Sequence, residues 1–290
     1  MSEPITHWNE NIPEPHEAVF NALIVIAVKL GDNCFQGIGT GFIFSCGADK
    51  AGVNQAVVAS AAHVFEQVYR YQNPCEPRPD NHLFDPEIQK VDLDPELVFG
   101  ILFHQGRSHM LTISRLTYDL KSDTAVFVVK KLKPDNRNIF THSIRLDEKL
   151  PTVGSSIEGI GFKHMEFSAE MFGSRLVTIF RASLTRRLGT VSEVLERTMR
   201  SQGPGLFASF PIFGGMSGGP ALRLGTGKDP AAFGILSSDF EDPEDTKYDR
   251  EKLGSTTVVK LPVSFRTEPN GQRVTTFQFL SNYLGTDTEN

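Results

Sequence analysis

Short runs of β-branched and aromatic residues, each cut off by Gly, Pro, Asn or Asp, recur along this chain and limit its fold more than any other feature. Ala22–Leu30 reads as a strand ended by the turn Gly31-Asp32-Asn33. Gly39–Phe44 and Gln55–Ser60 read as the next two, and Thr124–Val129 as one buried on both faces. A second set runs through Ile157–Phe162, Arg175–Ala182, Gly205–Phe210, Pro220–Leu224, Ala232–Leu236 and Ser255–Val263. No helix-length period dominates. Ser192–Ser201 is read as a short helix, and Thr275–Leu284 as a terminal helix carrying Phe277, Phe279, Leu280 and Tyr283. Residues 70–97, rich in Pro and Asp, read as a surface insertion. The expected fold is therefore all-β, and two packed antiparallel barrels suit two strand clusters better than one sandwich. The division falls near residues 135–152. It gives a first barrel over 15–140, a second over 150–268, and a C-terminal helix or tail over 269–290.

Composition sets the outer limits. At 290 residues the chain can bury a large core, and 22 Phe against one Trp predict a Phe-packed interior. The net charge of −6, with no basic run, argues against nucleic acid as a partner. The longest apolar run is far too short to span a bilayer, so no membrane partner is expected. The first residues are polar and acidic, unlike a secretory leader, and the chain reads as cytoplasmic. Cys34, Cys46 and Cys75 are too sparse for a disulfide framework, and free thiols are expected. A Cys34–Cys46 bridge across a hairpin is the minor alternative.

The residues that carry chemistry begin with Phe213-Gly-Gly-Met-Ser217-Gly-Gly-Pro220. A sharp glycine-rich turn can aim the Ser217 hydroxyl into a cleft. It can also point the N–H groups of Gly215 and Ser217 at one spot, which is the requirement for an oxyanion hole. A phosphate loop would need a Lys after the glycines and then a helix, whereas Pro220 and an apolar run follow. His63 comes next, at the end of a β-run that passes into small residues. Standing alone, this segment would favour a core histidine hydrogen-bonded locally. Asp123 stands directly before an apolar strand, where a half-buried carboxylate needs a donor such as an imidazole N–H. Asp119 competes for that role. Ser217 as nucleophile, His63 as base and Asp123 as its orienting group follow the chain order His, Asp, Ser, that of one convergent triad class.

These segments, with Gly39–Phe44, Ala61-Ala-His63-Val, Asp123-Thr-Ala-Val, Gly215–Pro220 and Phe233–Ser237, resemble the trypsin-like (chymotrypsin-fold) serine peptidase superfamily. The likeness is nearest to its bacterial and HtrA-like branch, without a PDZ domain. It implies two six-stranded barrels with the triad in the cleft between them, and a protein or peptide substrate. No metal or organic cofactor is needed. It implies that Ser237 contacts the triad Asp and begins the substrate-binding edge, continued by Ser238 and Asp239. It places Pro211 at the base of the specificity pocket, with Ile212 and Phe213 adding apolar character. A small or medium apolar substrate side chain is expected there. Asp239 could instead attract a basic one, or be a solvated turn residue.

Two departures from the family pattern matter. Val64 stands where secreted members carry a Cys, which agrees with a reducing compartment. Met216 stands where zymogens carry an Asp, so activation should not depend on N-terminal cleavage, although a partner or ligand could gate the site. Residues 70–97 and 183–204 are the candidate gates. The rival from another class is a catalytically silent fold acting as a binding module. An esterase would share the acyl chemistry. His104, His109 and Cys75 lack any usual zinc spacing.

Overall fold

The computed structural model describes residues 17–31, 34–49, 51–72, 96–119, 122–132, 137–172, 175–198, 203–223, 230–237, 256–260, 264–267 and 272–275. After a single helical turn, α1 (Glu17–Phe20), six strands follow: β1 (Leu23–Gly31), β2 (Cys34–Ala48), β3 (Asn54–Ser60), β4 (Val98–His104), β5 (Arg107–Asp119) and β6 (Thr124–Lys131). They pair in the order β1-β2-β3-β6-β5-β4, and β1 then pairs with β4 to close a barrel. Closure removes the exposed strand edges that an open sheet would present. β1 and β6 are apolar on both faces because one face lines the barrel and the other is covered from outside. Six consecutive residues are buried in each.

A second ring is built from β8 (Ser156–Phe172), β9 (Arg175–Leu195), β10 (Gly205–Ala208), β11 (Pro220–Arg223), β12 (Ala231–Ser237) and β13 (Thr256–Lys260). The antiparallel order β11-β8-β9-β10-β13-β12 closes through a pairing of β12 with β11. The architecture is thus two closed six-stranded antiparallel barrels. The short β7 (Arg145–Leu146), in the connection between them, adds in parallel to β12. A separate hairpin joins β14 (Ser264–Thr267) to β15 (Gln272–Thr275).

The barrels share one core. Ile160, Phe162, Phe180, Leu222 and Ile235 of the second are buried together with Leu23, Ile26, Phe42 and Phe127 of the first. Phenylalanines dominate the seam. Phe167 and Phe180 of the β8–β9 hairpin lie 4.5 Å apart between ring centroids; Phe35 of β2 meets Phe167 at 5.5 Å, and Phe103 of β4 stacks on Phe180 at 5.8 Å. Each such pair adds about 0.5–1.5 kcal/mol beyond its area burial. A smaller cluster, including Ile157, Val191, Leu206, Phe210, Met216 and Phe233, fills the second barrel.

Several sequence expectations change. Ser192–Leu195, read as the start of a helix, continue strand β9, and so does Ser183–Leu195 of the expected gating loop. Exposure along this stretch largely alternates residue by residue, a β period hidden by its polar composition. The insertion expected from residue 70 begins later, because helix α2 (Ala62–Gln72) runs to residue 72 and tucks in Val64, Phe65 and Val68. Residues 73–95 lie outside the described set. Cys34 and Cys46 are free and exposed at opposite ends of the single strand β2, which at about 3.3 Å per residue keeps them far apart. Thr275 ends β15, and the rest of the expected terminal helix lies outside the described residues. No helix among the described residues is long and apolar enough to cross a membrane.

Candidate active site

His63 is the second residue of α2, which begins directly behind β3. The first four N–H groups of any helix lack intrahelical acceptors. Here the backbone N–H of His63 finds one in Asp123 Oδ1, at 3.0 Å. The same carboxylate faces the ring of His63: Nδ1 lies 3.0 Å from Oδ1 and 3.0 Å from Oδ2. A carboxylate only accepts, so Nδ1 carries the proton and Nε2 keeps its lone pair. The tautomer needed in a general base is set by this pairing.

Asp123 sits in the turn before β6 with φ of +48°, in the left-handed region that Asp tolerates better than most residues. That conformation swings its carboxylate back from the strand toward α2. Asp123 is 2% exposed. Burial pushes its carboxyl up, but the His63 ring and hydrogen bonds from His63 and Ser237 outweigh burial and hold it below the ordinary carboxylate value. The Ser237 Oγ donates to Asp123 Oδ2 at 2.6 Å, from the last residue of β12 in the second barrel. Asp119, the competing acid, closes β5 and pairs through its backbone with Thr124.

Ser217 lies in the turn between β10 and β11, only 6% exposed. Gly215 (φ +93°) and Gly218 (φ +88°) adopt conformations that side chains resist, which lets the chain reverse on either side of Ser217. The turn is braced internally by Met216 N–H to Phe213 O and Gly219 N–H to Met216 O, and externally by Gly218 N–H to Leu236 O. Among the described residues, no hydrogen bond occupies the N–H groups of Gly215 or Ser217. Among the described residues these two N–H groups, on either side of Met216, thus have no acceptor.

The turn is fixed directly to the segment that carries His63. Thr40 N–H donates to Ser217 O at 2.8 Å, and a Cβ on Gly39 would meet both Val64 and Ser217 O. A Cβ on Gly218 would strike Ser60 Oγ and Thr40 O and lie 3.0 Å from Ala61 N, two residues before His63. The Ser217 turn thus packs against the chain on either side of His63. Among the described residues no hydrogen bond joins the Ser217 hydroxyl to the imidazole.

The chain is similar in fold to a solved protease. A search of solved structures finds the crystal structure of the Rv3671c protease from M. tuberculosis, in its active form, at TM-score 0.46 and 13% sequence identity. The match covers 90% of this chain and 87% of that one. No family model matches the sequence, and no curated protein does. The two-barrel topology stands on its own strand pairings.

The other site residues anticipated from sequence are distributed around this turn. Pro211, Ile212 and Phe213 are half-buried just before it, Ile212 and Phe213 packing on the core of the second barrel. Ser237 is fully buried against Asp123. Ser238 and Asp239 lie outside the described residues. Met216 is fully buried in the second barrel, and its Sδ accepts the Phe213 N–H at 3.5 Å. His104 and His109 face each other across the β4–β5 hairpin with ring centroids 6.4 Å apart, and no cluster of metal ligands occurs among the described residues.

Sequence reasoning passed over Thr40. Its hydroxyl donates to Gly215 O at 2.7 Å and accepts from Phe162 N–H at 2.9 Å, while its carbonyl accepts from Ser60 Oγ at 2.7 Å. One buried side chain therefore ties β2, β8 and the Ser217 turn together. The available signal was a lone hydroxyl in the otherwise apolar run Ile38–Phe44.

Proposed function

We propose that the protein is a serine endopeptidase of the trypsin-like family, nearest its HtrA-like branch, with Ser217, His63 and Asp123 as a catalytic triad. The observation that carries this reading is the two-point grip of Asp123 on His63, which orients an imidazole on a chain segment packed against the turn of the buried Ser217. In the reaction, His63 Nε2 takes the proton of Ser217 Oγ as the oxygen bonds to the substrate carbonyl carbon. The N–H groups of Gly215 and Ser217 would hold the negative oxygen that results, each removal of such a donor costing about 3 kcal/mol of barrier. As the C–N bond breaks, the imidazolium returns the proton to the leaving amine. Water, deprotonated by the same nitrogen, then attacks the ester carbon, and as its C–O bond breaks the imidazolium returns that proton to Ser217 Oγ. Val64, in place of the secreted members' Cys, supports a cytoplasmic setting.

The test is hydrolysis of proteome-derived peptides by the wild type against Ser217→Ala. New N-termini produced only by the wild type support the reading; identical peptide populations would remove it. One observation favours a binding module instead, namely the lack of a hydrogen bond between Ser217 and His63 among the described residues. That alternative expects the identical populations.

A further inference from the structure

Two cations converge on Phe213 beside the Ser217 turn. Lys163 Nζ stands 4.4 Å from the centre of the Phe213 ring, and Arg187 Cζ stands 4.2 Å from it. Both arise from the β8–β9 hairpin, where Arg187 is opposite Gly159, and residues 159, 161 and 163 share one face of β8. The turn docks on that face. A Cβ at Gly159 would meet the Phe210 ring at 2.9 Å, and one at Gly161 would meet Met216 Cα at 2.8 Å. Lys163 Cα lies 3.8 Å from where a Cβ on Gly215 would be. Both cations thus stand on the ring of Phe213, two residues before Gly215, on the strand face against which the turn packs.

Among the described residues no carboxylate pairs with Lys163 or Arg187, and Arg187 Nε is buried without a hydrogen bond. The buried acid of the hairpin, Glu158, is held by Arg186 on the opposite face. A buried guanidinium donor is rarely left unpaired, and an aromatic ring satisfies it only in part while like charges repel. A carboxylate would supply both the opposite charge and two acceptors for the guanidinium fork.

We propose that Lys163 and Arg187 bind a substrate carboxylate close to the scissile bond, an Asp or Glu side chain or a free C-terminus, so that the protein selects acidic peptides. This rests on the hydrolase reading above and names its substrate class.

The experiment uses pools of randomised peptides carrying one Glu, or one Gln in its place, each made with a free and an amidated C-terminus. Cleavage is followed with the wild type, and binding by fluorescence anisotropy with Ser217→Ala. The Glu pool is expected to be cleaved and bound about tenfold better than the Gln pool. The difference should shrink at high salt. Lys163→Gln with Arg187→Gln should abolish it, and the charge-keeping pair Lys163→Arg and Arg187→Lys should retain it, with thermal melts confirming folding. A preference confined to free C-termini would assign the carboxylate to the chain end and still support the site. Equal treatment of Glu and Gln pools together with equal treatment of free and amidated C-termini, or a preference surviving the double Gln variant, overturns it. If the wild type cleaves neither pool while Ser217→Ala still prefers the Glu pool, the hydrolase reading falls and the anion site stands. If both pools are cleaved readily and alike, with free and amidated C-termini also alike, the anion site falls and the hydrolase reading stands.

Discussion

The Ser237 hydroxyl, on the second barrel, donates to Asp123 Oδ2, on the first, at 2.6 Å. Both residues are buried, so this bond couples the packing of the two barrels to the group that orients His63. Ser237→Ala removes a hydrogen bond to a charged acceptor in a dry site, and should destabilise the protein by about 2 kcal/mol. Urea unfolding measures this. Unchanged stability would mean that the bond adds nothing across the seam.

Asp123 gives a pH signature whose sign is fixed by its environment. Its folded-state pKa lies below its unfolded value of about 3.9, so its stabilising contribution is complete above that value. The contribution is lost as pH falls through the folded value. Asp123→Asn should therefore flatten the loss of stability at acid pH relative to wild type. The same change should cut peptide turnover by about 10⁴-fold, because the imidazole loses its tautomer control. Acid unfolding curves and kcat test both halves. Parallel acid curves would show that Asp123 is not the titrating group.

Thr40→Val keeps shape and removes the hydroxyl that Gly215 O and Phe162 N–H share. Two buried backbone groups are left without a partner, at about 1–3 kcal/mol each. The Gly215 N–H should also lose its aim, so kcat should fall more than KM changes. A variant with lower stability but wild-type kcat would make Thr40 a purely structural tie.

What could be read in the sequence was local chemistry. The glycines around Ser217 and the acid abutting β6 reveal themselves within a few residues, since a turn or a strand start is made by neighbours. Thr40 could not be found in that way. Its partners are 175 and 122 residues away along the chain, and nothing in Gly39-Thr-Gly points to them. The length of the β8–β9 hairpin was hidden for another reason. Arg181–Thr190 puts Arg187 on the less exposed face beside exposed Arg186, and sparse apolar residues left its two-residue period faint. Helix α2 escaped because its apolar residues Val64, Phe65 and Val68 fall within a short amphipathic stretch next to a strongly β-like run.

The close fit of Gly218 gives a sharp test of how the turn is seated. An added Cβ would meet Ser60 Oγ and the Thr40 carbonyl, and φ of +88° is unfavourable for alanine. Gly218→Ala should cost about 2 kcal/mol or more and depress turnover. Gly47→Ala, on the open end of β2, meets nothing within 4 Å and should be neutral or slightly stabilising. Thermal melts of the two variants side by side decide the point. Equal melting temperatures would contradict the packing described.

Hydrolysis by this chain requires an activated alcohol at position 217, and a fluorophosphonate reagent reads that directly. Intact-mass and peptide mapping of the treated wild type should show one adduct, on Ser217. It should be absent from Ser217→Ala and strongly slowed in His63→Ala. A well-folded wild type that takes up no adduct at Ser217, or takes it up as fast without His63, would contradict the proposed chemistry.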